Sequence, residues 1–357
     1  MTTEVTSSPG TGQDPAAAAR RTSQVLLGRV EEHLRSFLTA EHDTWATVDE
    51  RAVVAVDALS DLVASGGKRI RPAFCVTGHL AAGGDPDDGA IVAAAAALEM
   101  LHVSALVHDD VFDASTRRRG EPTVHAHHSA LHTANAWQGE ARRFGESVAV
   151  LVGDLALVYS DQLMSSAPAT VLEVWNTLRA ELMIGQYMDI AAAAEFSVDP
   201  RLSRLVALVK SGHYTIHRPL AVGASVAGRP DLAPAFKEYG EAVGEAFQLR
   251  DDLLDAFGDA ADTGKPAGLD FQQHKMTLLL GWAMQRDDRI RTLVTSGRHA
   301  PAEVRDRLLD TGVPADVEAH IADLVERGCK AIADAPIDTV WRDELTAMAT
   351  KVAYRNA

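Results

Sequence analysis

Ala90 to His125 reads AIVAAAAALEMLHVSALVHDDVFDASTRRRGEPTVH. Its first half is apolar and alanine-rich, interrupted by Glu99 and His102. The run approaches the length of a bilayer-spanning helix, about 20 residues. Those two polar residues and the weak hydrophobicity of alanine instead predict a helix buried inside a protein core. The helix ends in acid: Asp109, Asp110 and Asp113. Asp109 and Asp113 stand four apart and share a face. Like charges at that spacing repel, so the pattern calls for a cation between them. A hard cation such as Mg²⁺ takes oxygen ligands and combines one or two carboxylates with substrate phosphates. Arg117, Arg118 and Arg119 follow, and a guanidinium grips phosphate through paired hydrogen bonds. By itself the stretch fits a solvated acidic turn beside a basic one equally well.

The rest of the chain narrows the choice. Its 357 residues allow one large domain or two ordinary ones. Apolar residues make up 46% and aromatics only 5%, which favours close-packed helices over sheets. A net charge of −16 argues against a nucleic-acid partner, because a polyanion would be repelled. Two cysteines, Cys75 and Cys329, make no disulfide framework and fit a reducing cytosol. The opening residues MTTEVTSSPGTGQDPAAAARR lack the apolar stretch of a secretory signal. Residues 1–20 read as a disordered tail and 21–357 as one domain.

Helical periodicity covers nearly everything after about residue 20, and prolines fall mostly at helix starts and junctions. Pro219 is the exception: it lies inside a helical pattern and predicts a kink or break. No useful alternating strand pattern and no dividing linker occur. The expected fold is all-α, a large single-domain helical bundle with a central cavity for a ligand.

Several short stretches carry chemistry. Gly66 to Pro72, GGKRIRP, places two glycines before Lys68, Arg69 and Arg71 at a helix start, which suits either a diphosphate or a plain helix cap. His102 lies seven residues before Asp109 on roughly the same face, so it points either at the aspartates' ligand or into a satisfied core. The His125–His132 segment, HAHHSALH, puts His128 and His132 four apart; zinc could use that spacing, but a packing face is the default. Gln186 and Asp189 lie in IGQYMD, and Lys210 is a lone charge in LVALVKSGHYT. A buried lysine needs a partner, and a diphosphate would serve; snorkelling to the surface is the alternative. The aspartate pattern then returns in FQLRDDLLDAF as Asp251, Asp252 and Asp255, with Lys265 and Lys275 after it. Two such motifs on apolar helices could face each other and clamp divalent ions around a diphosphate.

GGKRIRP, HDDVFD…RRG, GQxxD, KSG and FQxxDDxxD…GKP…K, in this order from about Lys68 to Lys275, resemble the trans-isoprenyl diphosphate synthases. The resemblance implies an all-α bundle around a deep cavity, usually a homodimer, that joins isopentenyl diphosphate to an allylic diphosphate. It implies Mg²⁺, about three ions per site, ligated by Asp109, Asp113 and Asp251, with Asp110, Asp252 and Asp255 in or near their coordination sphere. It further implies that Arg118, Lys210, Gln248 and Lys265 hold the allylic diphosphate, with Lys275 close by. Lys68, Arg71, His102 and Arg119 would hold isopentenyl diphosphate. Ser211 stands where the family commonly has threonine and keeps the hydroxyl.

Product length is a geometric matter. The growing chain should run from Asp109 back along its own helix, where one turn rises about 5.4 Å, close to one isoprene unit. Ser104 and Ala105 lie just over a turn below Asp109, where aromatic residues in the family close the pocket at farnesyl diphosphate. Their small size here predicts geranylgeranyl diphosphate, with Met100 and Leu101 as the floor. A farnesyl or a C25-or-longer product is the alternative. A class I terpene cyclase is a more distant reading; it would have an Asn/Asp–Ser/Thr–Glu second motif and no need of GGKRIRP. A non-catalytic synthase subunit would show damaged aspartate motifs, and both are intact.

Overall fold

The computed structural model describes residues 14–258, 268–272, 275–296 and 301–355. Lys265, expected at the diphosphate, lies outside them. The described chain is almost wholly helical, as expected. Its first half runs α1 (Pro15–Ala46), α2 (Val54–Ala64), α3 (Ile70–Ala81), α4 (Gly89–Phe112), α5 (Val124–Ala134), α6 (Ala141–Met164) and α7 (Ala169–Ala194). Next come α8 (Pro200–Val206), a π-helical segment Ala207–His217, α9 (Arg218–Val226) and α10 (Ala233–Phe257). The remainder is α11 (Leu269–Gln272), α12 (Leu278–Arg286), α13 (Asp288–Thr295), α14 (Pro301–Thr311), α15 (Val313–Ala333) and α16 (Thr339–Ala353). Two elements differ from expectation. Helix α1 starts at Pro15, with the Asp14 carboxylate accepting from the Ala16 amide, so residues 15–20 are helical rather than tail. A two-residue hairpin, β1 (Arg117–Arg118) and β2 (Glu121–Pro122), interrupts the helices. Its turn residues Arg119 and Gly120 both have positive φ, 52° and 85°, as a tight hairpin requires. A two-residue strand carries no alternation to read.

Helix α4 is the axis. Most of it is buried, from Ile91 through Leu98, Met100 and Leu101 to Val107. It packs against α6, α3 and α1. Long, apolar α4 and α6 both have the dimensions of membrane-crossing helices, and 72% of the apolar window of α4 is buried within this chain. The sequence expectation of a core helix therefore holds for α4. Each large aliphatic side chain removed from water there contributes about 1.5–3 kcal/mol.

The break expected at Pro219 appears as the π-helical segment that ends two residues before it. Proline lacks an N–H and crowds the preceding turn, and π turns often mark functional sites. Glycines wedge this segment between α7 and α10. A Cβ on Gly185 would lie 2.7 Å from the Lys210 nitrogen, and Gly244 abuts Gly212. These approaches set where Lys210 and Ser211 project.

Candidate active site

The aspartate-bearing ends of α4 and α10 meet at a cavity of about 720 Å³. Helix α4 lines it with Glu99, His102, Leu106 and Asp109. Helix α10 contributes Phe247, Gln248, Asp251, Asp252 and Asp255. The π-helical segment adds Lys210 and Ser211, and the loop into α3 adds Lys68, Arg69 and Arg71. Arg118, Arg119 and Lys275 line it too, whereas the predicted Asp110 and Asp113 are not among the lining residues. Stretches spread over some 200 residues of sequence thus share one space, on the side of α4 that carries His102 and Asp109.

Cations and carboxylates interleave there. Lys210 Nζ lies 2.6 Å from Asp189 and 3.7 Å from Asp109. Lys275 Nζ lies 2.8 Å from Asp113 and 3.6 Å from Asp270. Burial pulls both ammonium groups down, but the facing carboxylates outweigh it and raise them, so both stay charged. Arg118 donates to Asp110 at 2.7–3.1 Å through Nε and Nη2, leaving Nη1 as a donor toward other groups. Asp110 is buried and holds that arginine rather than facing the cavity. Asp252 is buried too and accepts from Gln248 Nε2 at 2.8 Å. Burial, then Asp270, pushes its carboxyl well above the usual range, which makes it a weaker metal ligand than an ordinary carboxylate. Asp255 accepts from the Asp270 amide at 3.1 Å, which ties α11 to the second motif.

GGKRIRP splits into separate roles. Gly66 and Arg69 take positive φ, 79° and 47°, and the turn sends Arg69 inward. Arg69 bonds buried Glu99 at 2.5 Å and the Val63 carbonyl at 2.8 Å, so it braces the loop. Arg71 stacks over Tyr214, its guanidinium carbon 4.1 Å from the ring centroid, and donates to Thr215 Oγ1 at 3.0 Å. The buried Nε of Arg71 has no protein partner. Lys68 is exposed at the rim. Arg119 reaches back to the Gly66 carbonyl and to Ser65 Oγ, tying the hairpin to this loop. His102 meets the Tyr214 hydroxyl at 3.3 Å. Burial, then Arg71, Arg118 and Arg119, holds it well below the usual imidazole range, hence neutral. The surplus of positive charge on this side favours an anion.

The four residues expected to measure product length are not in the cavity lining. Ser104, Met100 and Leu101 are fully buried in the core, and Ala105 packs against it. The floor expected at Met100 and Leu101 is therefore corrected to core packing. The cause is helical phase: at about 100° per residue, Met100 lies opposite Asp109 and Ser104 is turned some 140° away. Ser104 Oγ is buried without a partner. The histidine segment is a packing face: His125, His128 and His132 are the buried residues of α5, and His132 meets the Trp137 ring edge-on and the Phe144 ring at a tilt. No group of three potential metal-binding side chains converges among the described residues. Gln186 is not among the lining residues, whereas its neighbour Asp189 is.

Sequence reasoning missed Glu99, Tyr214, Asp270 and Arg355, all at or beside this cavity. Asp270, five residues before Lys275, could have been found as a third acid grouped with a lysine. Arg355 lies far from every motif and left no signal.

The same architecture occurs in a geranylgeranyl pyrophosphate synthase from Corynebacterium glutamicum, whose crystal structure holds isoprenyl diphosphate and magnesium. It is 38% identical with a TM-score of 0.87, covering 94% of this chain and 99% of that one. A short chain isoprenyl diphosphate synthase from Methanothermobacter thermautotrophicus is 32% identical over 235 residues, 63% of this chain and 65% of that protein's length. The octaprenyl diphosphate synthase of Escherichia coli is 29% identical over 303 residues, 83% of this chain and 88% of the other. Residues 54–309 match the model of the polyprenyl synthetase family. With its paired aspartate motifs and basic loop around one cavity, the chain belongs to the polyprenyl synthetase family of prenyltransferases.

Proposed function

We propose that the chain joins isopentenyl diphosphate to an allylic diphosphate with Mg²⁺, giving geranylgeranyl diphosphate. The observation that carries the reading is that one cavity is lined both by Asp109, Asp251 and Asp255 and by Lys68, Arg71 and His102. The donor set fits the metal. Asp109, Asp113, Asp251 and Asp255 offer only carboxylate oxygens, and Mg²⁺ combines one or two carboxylates with phosphate oxygens and water. Bound there, Mg²⁺ would supply positive charge that stabilises a departing diphosphate.

The protein's own groups do the remaining work. Lys210, Lys275 and the Nη1 of Arg118 bind the allylic diphosphate, their charge already secured by the neighbouring carboxylates. Gln248 and Ser211 line the same wall and position it. Lys68, Arg71 and Arg119 place isopentenyl diphosphate so that its double bond meets the allylic carbon. Neutral His102 donates or accepts without adding charge. The new carbon–carbon bond leaves a cation on the isopentenyl unit, and the proton lost from the carbon next to it goes to the departed diphosphate. The basic loop favours this condensation over a cyclase, which binds a single diphosphate.

The geranylgeranyl assignment rests on Ala105, a small side chain four residues before Asp109 on nearly the same face of α4; Ser104 faces the core and does not carry it. Relatives carry names with products from short-chain to nonaprenyl, so product length rests on residues rather than on family. A second copy of the chain is proposed to cover the outer faces of α6 and α7, where Leu151 and Tyr187 are 65% and 72% exposed. The free thiols Cys75 and Cys329 support a cytosolic location. The test is incubation of purified protein with isopentenyl diphosphate, each allylic primer and Mg²⁺, followed by chromatography of the products. A twenty-carbon product that shortens in Ala105→Phe is expected. A longer or shorter wild-type product removes the geranylgeranyl assignment, and no elongation removes the reading itself.

A further inference from the structure

His213 stands three residues after Lys210, near the middle of the π-helical segment. The condensation gives it no task, yet its side chain is only 13% exposed and both ring nitrogens face acid. Nδ1 lies 3.3 Å from Glu181 Oε2 on α7, at ion-pair distance but outside hydrogen-bond geometry. Nε2 lies 3.3 Å from Glu241 Oε1 on α10. Two further cations join the cluster: Arg218 donates to Glu181 at 2.5 and 2.8 Å, and Lys237 lies 3.9 Å from Glu241. His217 packs edge-on to His213, with ring centroids 5.1 Å apart. On α7, Glu181, Gly185 and Asp189 follow at four-residue steps and share a face. That face meets His213, then the Lys210 backbone, then Lys210 Nζ. On α10, Glu241 meets His213, and a Cβ on Gly244 would lie 2.4 Å from Gly212 Cα. The segment is thus clamped between two helices, and His213 reaches a carboxylate on each.

We propose that His213 is a positioning residue, bridging Glu181 and Glu241 so that the π-helical segment keeps Lys210 pointed at the allylic diphosphate. The proposal rests on the assignment of Lys210 to that diphosphate. A π turn bonds each residue to the fifth along, is rare, and persists where its surroundings over-determine it. Relaxing to ordinary four-residue bonding changes the angle between Lys210 and His213 around the helix axis. While the His213 ring is held from both sides, that rotation is blocked. Without the ring, Lys210 Nζ is free to swing away from Asp189 and Asp109. Imidazole suits the task because a rigid ring carries a nitrogen on each side and can meet two acids at once. Leucine fills the space with neither contact, and glutamine offers a single amide.

The test compares full-length His213→Leu, His213→Gln, Lys210→Ala and the double variant Lys210→Ala/His213→Leu. Calorimetric titration with inorganic diphosphate and Mg²⁺ measures binding, and steady-state kinetics gives kcat and KM for each substrate. His213→Leu should lower kcat/KM for the allylic substrate about tenfold or more, with KM for isopentenyl diphosphate within about twofold. Diphosphate binding should weaken in parallel, and His213→Gln, which keeps a donor for Glu241, should fall between. In the double variant the loss should be no larger than in Lys210→Ala alone, because His213 acts through Lys210. Lowered thermal stability with unchanged kinetic constants, or losses that multiply in the double variant, overturns the proposal and leaves His213 as a structural ion-pair partner. If His213→Leu does not fold, His213→Gln decides by the same allylic selectivity and the same pairing with Lys210→Ala. A Lys210→Ala protein that binds diphosphate as the wild type does overturns the Lys210 assignment instead.

Discussion

Gly185→Ala is the most direct probe of how the fold aims Lys210. The new Cβ would lie 2.7 Å from the Lys210 nitrogen, 2.8 Å from its Cα and 3.1 Å from its Cβ. Two of these are backbone atoms, so no side-chain rotation relieves the contact. Forcing a methyl into a packed interior costs about 1–3 kcal/mol. Alanine in a helix regains about 0.5–1 kcal/mol over glycine. The net expectation is a loss of about 1–2 kcal/mol. The π-helical segment must also shift, and Lys210 with it, away from Asp189 and Asp109. Misplacing a positioned group by about 1 Å costs on the order of a hundredfold in rate. Gly281→Ala is the control, because its Cβ would meet nothing nearer than 3.9 Å; it should be neutral or slightly stabilising. Denaturant unfolding of both variants gives the stability difference, and kcat on the folded proteins gives the positioning effect. If Gly185→Ala matches Gly281→Ala in both, the close approach does not aim Lys210 and the reasoning fails.

Two further outcomes follow from protonation. Asp252→Asn replaces a carboxyl whose burial already favours the neutral form and should keep stability within about 0.5 kcal/mol. Asp251→Asn should abolish the response to Mg²⁺; equal effects of the two on Mg²⁺-dependent activity would contradict their different environments. His217 is buried, and burial, then Arg218 and His213, push it down to about 3. Because the folded pKa is depressed, the unfolded chain binds the proton first, and stability falls as pH drops from about 6.5 toward 3. At pH 4.5 the loss is roughly 2–3 kcal/mol. His217→Gln should flatten that part of the stability–pH curve measured by thermal unfolding, and an unchanged slope would assign the acid sensitivity elsewhere.

The residues themselves announced the helices, because each buried helix repeats its apolar contacts every three or four positions and punctuates its ends. They announced the aspartate motifs for a related reason: Asp109 and Asp113, then Asp251 and Asp255, are local repulsions that a chain tolerates only near a cation. The hairpin at Arg117–Pro122 was invisible, since two residues per strand carry no period. Side-chain assignments within motifs were less legible. Arg69 and Lys68 are neighbours in GGKRIRP, yet one is spent on Glu99 and the other reaches the cavity rim.

What local sequence determined, then, was the element type and the chemistry carried at helix ends, both set by interactions within a few residues. Tertiary structure alone decided that burial and Asp270 raise the carboxyl of Asp252 well above the usual range. It decided that Ser104 faces the core and that Lys210 stands between Asp109 and Asp189. It also brought Arg355 to Asp251, 104 positions away in the chain. Burial and long-range pairing depend on what other segments supply, and no spacing within one segment encodes them.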